Sequence, residues 1–443
     1  MFRILCLVGI IASFALPVTG VSQDPVLPKK QDPKKTYAPS SVPDRIILTW
    51  SSDPTTSQSV TWRTSTQVTK GLAEFAVAQG GPGFRKNAIR IAAKTQALKT
   101  GLGEAHYHTA VFSELKPETK YLYRVGDGTN WSEWSQFETA STKARPFSFI
   151  YFGDAQNDIK SHWARVVRQA FRDAPKAAFL LHAGDLVNNP NSDSEWGEWF
   201  YSGGWINRTM PSIATPGNHE YARGKLSIQW RPSFDFPRNG PDKLSETVYY
   251  MDYQGVRFVS LNSNENLDVQ VEWFNKMMKS NKMRWTIVTM HHPIFSTNAK
   301  RDNKALRAKF KPMFDEHKID LVLQGHDHAY GRTGLVGHGH AEGDAAAHAK
   351  REVARNVATG VTARSEKAGT VYVVSVSGPK MYSVEKKPVF KTMKTNTQLY
   401  QILSVDGDKV TYSAYTATGK LFDRFELHKE DGMPNRLVEM EKE

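Results

Sequence analysis

The chain has 443 residues, 40% hydrophobic and 11% aromatic, which is too apolar for a disordered chain and too long for one ordinary core, so two or more domains are expected. A single cysteine excludes a disulfide-stapled scaffold, and no apolar run approaches the length of a membrane span. The formal charge of +13 is spread over scattered lysines and arginines, which fits anionic substrates or envelope polyanions as well as nucleic acid.

Met1-Phe-Arg3, a short apolar run to Leu16 and an exit at Pro17-Val-Thr-Gly20 have the three parts of a secretory signal peptide over residues 1–20. Cys6 lies inside it, and an exported chain without disulfides points to a secreted or periplasmic, bacterial setting. Residues 21–43 are rich in Pro, Lys, Asp and Ser, a composition that reads as an extended, disordered spacer.

Residues 44–141 are all-β. Ile46-Ile-Leu-Thr-Trp50, Ser59-Val-Thr-Trp-Arg-Thr64, Leu72-Ala-Glu-Phe-Ala-Val77 and His108-Thr-Ala-Val-Phe112 are short strands separated by turn residues. Leu115-Lys-Pro-Glu-Thr-Lys-Tyr121 resembles the corner of fibronectin type III sandwiches, where a tyrosine hydroxyl ties down the entry to a strand. Trp131-Ser-Glu-Trp134-Ser135 has the letters of the cytokine-receptor box, but no paired cysteines precede it, so aromatics on a late edge strand are its expected meaning. Asn130 and Asn207 stand in Asn-x-Ser/Thr sequons.

After Pro146 the period changes. Apolar runs alternate with helical patterns, which implies a layered α/β domain with ligand groups at the carboxyl ends of strands. Five such ends carry polar, metal-competent residues: Phe152-Gly-Asp154, His182-Ala-Gly-Asp185, Thr215-Pro-Gly-Asn218-His219-Glu220, Met290-His291-His292-Pro293 and Gly325-His326-Asp-His328. Singly each is an ordinary turn, cap or loop. Five in order, each directly after an apolar run, point to a metal site.

This order resembles the calcineurin-like metallophosphoesterases, and the preceding sandwich resembles the purple acid phosphatase branch. The resemblance implies an N-terminal all-β fibronectin-like sandwich, then, over residues 145–428, an α/β four-layer domain in which a β-sandwich is flanked by helices. It implies two metal ions, iron with zinc, manganese or a second iron. Asp185 would bridge them, Asp154 and His328 would complete one shell, and Asn218, His291 and His326 the other. His219 would face the leaving oxygen as proton donor and phosphate ligand, with Glu220 orienting its ring. The expected reaction is hydrolysis of small phosphate monoesters by in-line attack of a metal-held hydroxide, with no nucleic acid required. The alternatives are a phosphodiesterase or nucleotidase on the same core, or a polymer- or partner-binding envelope protein with an inactive core.

The chain departs from the family pattern at three places. Asn188 stands where purple members carry the tyrosine that colours their iron, and Gln156 where many others carry a histidine. Either amide can offer an oxygen to the first ion, and a colourless enzyme is expected. Lys300 and Arg301 occupy the region of the substrate-contacting histidine pair of plant members, either as phosphate ligands or as the first turn of a following helix. His292 is a further candidate to reach substrate. His182 reads as a satisfied core or supporting histidine, and His162 as a surface residue. Residues 334–369, with His338, His340 and His348, read as a polar insertion on the active-site side, either a lid or a surface loop. Leu399-Tyr-Gln-Ile-Leu-Ser-Val405 and Val410-Thr-Tyr-Ser-Ala-Tyr415 are expected to form a closing hairpin in the second sheet. A charged, frayed tail is expected over residues 429–443.

Overall fold

The computed structural model describes residues 32–337 and 369–440; the expected signal peptide and nearly all of the 334–369 insertion lie outside them. The chain starts with a short helix, α1 (Pro33–Tyr37), which corrects the expectation of a disordered spacer for this part. It is pinned from both sides. The Tyr37 carbonyl accepts from Arg63 Nη2 (2.9 Å), and the Tyr37 ring fills the notch left by Gly197, where a Cβ would come within 2.6 Å of it.

Eight strands form the N-terminal sandwich: β1 (Asp44–Thr49), β2 (Gln58–Ser65), β3 (Leu72–Val77), β4 (Ile89–Ala92), β5 (Lys94–Thr100), β6 (Gly103–Phe112), β7 (Lys120–Gly126) and β8 (Ser135–Glu138). They make two antiparallel sheets, β1-β2-β6-β5 and β4-β3-β7-β8. Alternate residues such as Val60, Trp62, Phe75, Phe112 and Tyr123 meet between them. The Tyr121 hydroxyl accepts from the Lys116 amide (2.8 Å), tying down the turn into β7. Arg124 lies between Trp131 (4.3 Å) and Trp134 (4.8 Å), so the two tryptophans form a cation–π ladder.

The second domain begins with β9 (Phe147–Phe152), α2 (Ala164–Asp173), β10 (Leu180–His182), α3 (Asp193–Gly203), β11 (Ser212–Ala214), a small hairpin of β12 (Tyr221–Ala222) and β13 (Lys225–Leu226), and α4 (Trp230–Ser233). It continues with β14 (Tyr249–Tyr253), β15 (Val256–Ser260), α5 (Leu267–Met278), β16 (Trp285–Thr289), α6 (Lys304–Glu316), β17 (Leu321–Gln324), β18 (Tyr330–Thr333), β19 (Val336–Gly337) and β20 (Gly369–Val374). The last strands are β21 (Phe390–Lys394), β22 (Leu399–Asp406), β23 (Lys409–Thr416), β24 (Leu421–His428) and β25 (Arg436–Glu439).

Two sheets stack face to face, β11-β10-β9-β22-β23-β24-β25 against β14-β15-β16-β17-β20-β18-β21 with β19 on β20. The near-continuous apolar runs follow from this layering. On β9, Phe149 and Tyr151 enter the core between the sheets, while Ile150 and Phe152 pack under Trp163, Val166 and Trp199 on the outer face. On β17, Leu321 and Leu323 face inward and Val322 meets Phe310 and Phe314 of α6. Strands buried on both faces lose the alternation of a half-exposed strand.

Two expectations fail here. The closing hairpin β22-β23 joins β9 in the first sheet, not the second, with β22 antiparallel to β9 from Gln401↔Tyr151 to Val405↔Phe147. The tail is not frayed as far as residue 440. Strand β25 pairs with β24, Arg332 holds Glu439 (2.7 Å), and Asp320 holds Lys429 (2.8 Å) and Asn435 (2.6 Å).

Candidate metal centre

All five predicted strand ends converge. Asp154 follows β9, Asp185 follows β10, Asn218 follows β11, His291 follows β16, and His326 and His328 follow β17. The parallel strands of both sheets thus deliver their carboxyl ends to one place. Asp185, His326 and His328 adopt left-handed backbone conformations (φ 50°, 76° and 48°), a strain of about 1–3 kcal/mol each that tightly built surroundings must hold. Glycines open the room: a Cβ on Gly325 would come within 2.2 Å of Asp154 Oδ1, and one on Gly217 within 2.1 Å of Asp185 Oδ1.

Two donor groups result, Asp185 with His291 and His326, and Asp154 with Asp185 and His328; within each, the donor atoms lie within 4.8 Å of one another. Asp185 belongs to both. Asn218 Oδ1 joins the first, 2.9 Å from His326 Nδ1 and 3.1 Å from His291 Nε2. The histidines are pre-oriented. His291 Nδ1 donates to the Ala183 carbonyl (2.9 Å) and His328 Nδ1 to the Lys380 carbonyl (3.0 Å), so each ring turns its Nε2 toward a carboxylate. Those Nε2 atoms stand 3.1 Å from Asp185 Oδ2 and 3.1 Å from Asp154 Oδ2. Such close pairs of nitrogen and carboxylate oxygen call for positive charge between them, a proton or a metal ion, and the donor set fits a pair of metal ions. Asp154 Oδ2, fully buried, has no hydrogen-bond donor of its own.

The electrostatics point the same way. Burial and the neighbouring Asp185 push the Asp154 carboxyl up to about 7. For Asp185 burial acts upward, but His291 outweighs it and holds the carboxyl below its ordinary range. His291 is raised to about 9, because the two carboxylates override the cost of burying its charge. Burial lowers His328 to about 4 and drives His326 far below the usual range. The carboxylate pocket attracts positive charge, on His291 as well as on a bound ion, while the His326 and His328 rings stay free of protons and available as ligands.

His219 lies beside this cluster. Its amide donates to Asp185 Oδ1 (2.8 Å), and its Nδ1 donates to the Asn188 carbonyl (2.6 Å), leaving Nε2 open. Glu220 does not orient that ring, contrary to expectation. It is fully buried behind Asp185 and accepts four backbone N–H groups, from Asp185 (2.8 Å), Leu186 (2.8 Å), Val187 (3.4 Å) and Gly217 (2.7 Å). It therefore clamps the strained Asp185 turn. Glu220→Gln turns one acceptor into a donor facing N–H groups, and metal affinity is expected to fall about 10- to 100-fold in a metal titration.

The amides behave differently from each other. Gln156 is fully buried, its Nε2 2.8 Å from His328 Nε2 and 3.2 Å from Asp185 Oδ2, and its Oε1 has no partner. The Asn188 side chain turns away and accepts from Asn157 Nδ2 (3.0 Å), so only its backbone serves the site. His292 closes one wall: its Nδ1 meets Ser263 Oγ (2.8 Å), its ring lies 4.2 Å from that of His326, and burial lowers it to about 3. Arg301 reaches the site, its Nη1 donating to the His326 carbonyl (2.9 Å). Lys300 is exposed on the approach to α6. His182 is a core residue among Phe152, Trp163 and Trp199, yet neither ring nitrogen has a hydrogen-bond partner, so it is not the satisfied residue expected. His162 is exposed, and His338, His340 and His348 lie outside the described residues. Sequence reasoning missed the Asn188 and Lys380 carbonyls, since any residue type supplies a carbonyl, and missed Asp327 despite its place between two ligand-type histidines.

A fold of two stacked sheets between helices, with this donor set at the strand ends, defines a calcineurin-like phosphoesterase domain, and the description "Calcineurin-like phosphoesterase" matches residues 147–330. "Purple acid Phosphatase, N-terminal domain" matches residues 43–139. The chain thus carries, in this order, a domain of the kind found at the N-terminus of purple acid phosphatases and a calcineurin-like phosphoesterase domain. It is 27% identical over 244 residues to purple acid phosphatase 5 of Arabidopsis thaliana (52% of this chain, 56% of that one). It is 25% identical over 259 residues to Fe(3+)-Zn(2+) purple acid phosphatase 12 of the same plant (52% and 53%). The chain thus spans about half the length of the curated relatives it matches. The structure of purple acid phosphatase PPD1 from yellow lupin (Lupinus luteus) superposes with a TM-score of 0.70 at 17% identity, over 88% of this chain and 75% of that one, a likeness of fold.

Proposed function

We propose that this chain is an exported phosphatase that hydrolyses phosphate monoesters at a centre of two metal ions. The observation that carries the reading is Asp185, shared by two donor groups, with the open Nε2 of His219 beside them. Two cations bound there would neutralise the phosphoryl charge and acidify a water. The chain's own residues do the rest. Asp154, Asp185, Asn218, His291, His326 and His328 hold the ions, with Glu220 bracing the Asp185 turn. His219, fixed through Nδ1, presents Nε2 to the leaving oxygen and can deliver a proton there. Arg301 and His292 line the wall where the phosphoryl oxygens sit. Export rests on the signal-like first 20 residues; among the described residues no helix is long and apolar enough to cross a membrane.

Gln156 is the amide we assign to the first ion, since its unpartnered Oε1 needs only a turn of the amide to face it. An amide oxygen is a weaker donor than tyrosinate, so a divalent ion is favoured there and iron-loaded protein is expected to show no visible charge-transfer band. The test is hydrolysis of p-nitrophenyl phosphate beside bis-p-nitrophenyl phosphate after stripping metals and restoring iron, manganese or zinc. Strong monoester turnover supports the reading. Preference for the diester would move it to a phosphodiesterase, and inertness with every metal would refute it.

A further inference from the structure

Helix α2 has an outer face made of arginine. Val166, Val167 and Ala170 pack on the outer side of the first sheet, while Arg165, Arg168 and Arg172, at i, i+3 and i+7, are exposed. Arg165 is turned onto Gln398 Oε1 (2.7 Å), but Arg168 and Arg172 form no ion pair among the described residues. The end of α3 and the turn after it add aromatic rings beside this row. Tyr201 and Trp205 are 54% and 57% exposed, the two exposed aromatic residues among the described ones. Trp205 is braced by Phe171 of α2, edge to face with centroids 4.7 Å apart. Over the Tyr201 ring stand two cations, Lys160 Nζ at 4.8 Å and the Arg168 guanidinium at 5.9 Å from the centroid.

Two rings left in water among unpaired arginines call for an occupant that is apolar and anionic at once. The cations over Tyr201 take the place that a stacking sugar would need. A polyanion in solution would pair with the arginines and leave the indole wet. An anionic membrane surface uses both kinds of group. Trp and Tyr settle at the boundary between headgroups and acyl chains, and cations carried on long stems at the height of the rings meet the lipid phosphates above it. The formal charge of +13 adds a general attraction toward such a surface.

We propose that the α2–α3 face centred on Arg168, Arg172, Tyr201 and Trp205 docks on membranes rich in anionic phospholipid, holding the described domains at the membrane surface. The proposal does not rest on the phosphatase reading.

The test is cosedimentation of the full chain with phosphatidylglycerol vesicles, with phosphatidylcholine vesicles in parallel to measure what the apolar run before Pro17 contributes by itself. The wild type is expected to prefer phosphatidylglycerol. The Arg168→Gln/Arg172→Gln variant is expected to weaken that binding about 10- to 30-fold, as two surface cations are lost. Trp205→Ala should weaken it as well and leave the affinity for dextran sulfate in solution unchanged. Thermal unfolding midpoints equal to that of the wild type check that the variants fold. Lys279→Gln/Lys282→Gln removes the same charge at the end of α5, which packs on the outer side of the second sheet, and should change little. Equal binding to both kinds of vesicle, or an equal loss in the α5 variant, would overturn the proposal. So would a Trp205→Ala variant that binds phosphatidylglycerol as the wild type does, which would make the face a site for polyanions in solution.

Discussion

The Asp185→Asn variant is expected to lose about 10³-fold or more in kcat on p-nitrophenyl phosphate, since under the proposed two-ion reading it removes the shared ligand from a reaction in which both cations would supply several kcal/mol of charge stabilisation. Asparagine keeps the shape of the side chain and an oxygen for the His219 amide, so the change falls on charge rather than on packing. With Asp185 neutral, Asp154 is the one carboxylate left in the two donor groups, too little anion to hold two divalent ions in a buried pocket. Metal analysis of the purified variant should therefore find one equivalent or fewer, with the far-ultraviolet circular dichroism of the wild type retained. A variant that keeps two equivalents and wild-type turnover would remove Asp185 from the bridging position and with it the two-ion reading.

The donor cluster was legible because each member sits where a periodic signal stops. An apolar strand ending in Gly-Asp or Gly-His marks a residue lifted out of the sheet, and five such stops in one chain leave little room for another meaning. The stacked sheets between helices were legible for a related reason, since the double-sided burial of β9 and β17 writes an unbroken apolar run. What escaped the sequence was carried by backbone and by distance. Glu220 looked like a partner for the neighbouring His219, but a carboxylate at the third position of a tight turn can also face back and collect amide protons, and the Asp185 turn supplies them. Strand β22 looked like part of the second sheet, whereas the register that fits it is against β9, some 250 residues earlier. The Arg301–Tyr382 stack joins residues on either side of a long insertion, and no local pattern announces such a contact.

The second large effect is expected far from the chemistry, at Asp193. This first residue of α3 receives Arg45 from β1 at 2.6 Å and Thr100 Oγ1 at 2.6 Å, and lies 3.6 Å from Arg63 Nη1, while its main-chain carbonyl takes Arg45 Nη2 at 3.0 Å. The side chains of Asp193, Arg45 and Arg63 are only 2%, 3% and 1% exposed, so the cluster is a dry junction between the sandwich and the catalytic domain. Arg63 keeps Asp44 if Asp193 is lost, but Arg45 would keep only Gln229, Tyr107 and the carbonyl, all uncharged. Asp193→Ala is accordingly expected to cost about 3–5 kcal/mol in urea unfolding, the penalty for stranding a buried charge rather than the worth of the pair. Pairing it with Arg45→Met should recover most of that loss, because no charge is then left unpartnered. A single-variant loss below about 1 kcal/mol would mean that water reaches the junction. The effect should extend to catalysis. Helix α3 also carries Glu195, whose carboxylate holds the Asn188 and Asn189 amides at 2.7 and 2.9 Å, and the Asn188 carbonyl is what fixes His219. A loosened α3 would blur the direction of the His219 Nε2, so turnover should fall in the single variant and return with stability in the double one, linking the sandwich to the active site through one helix.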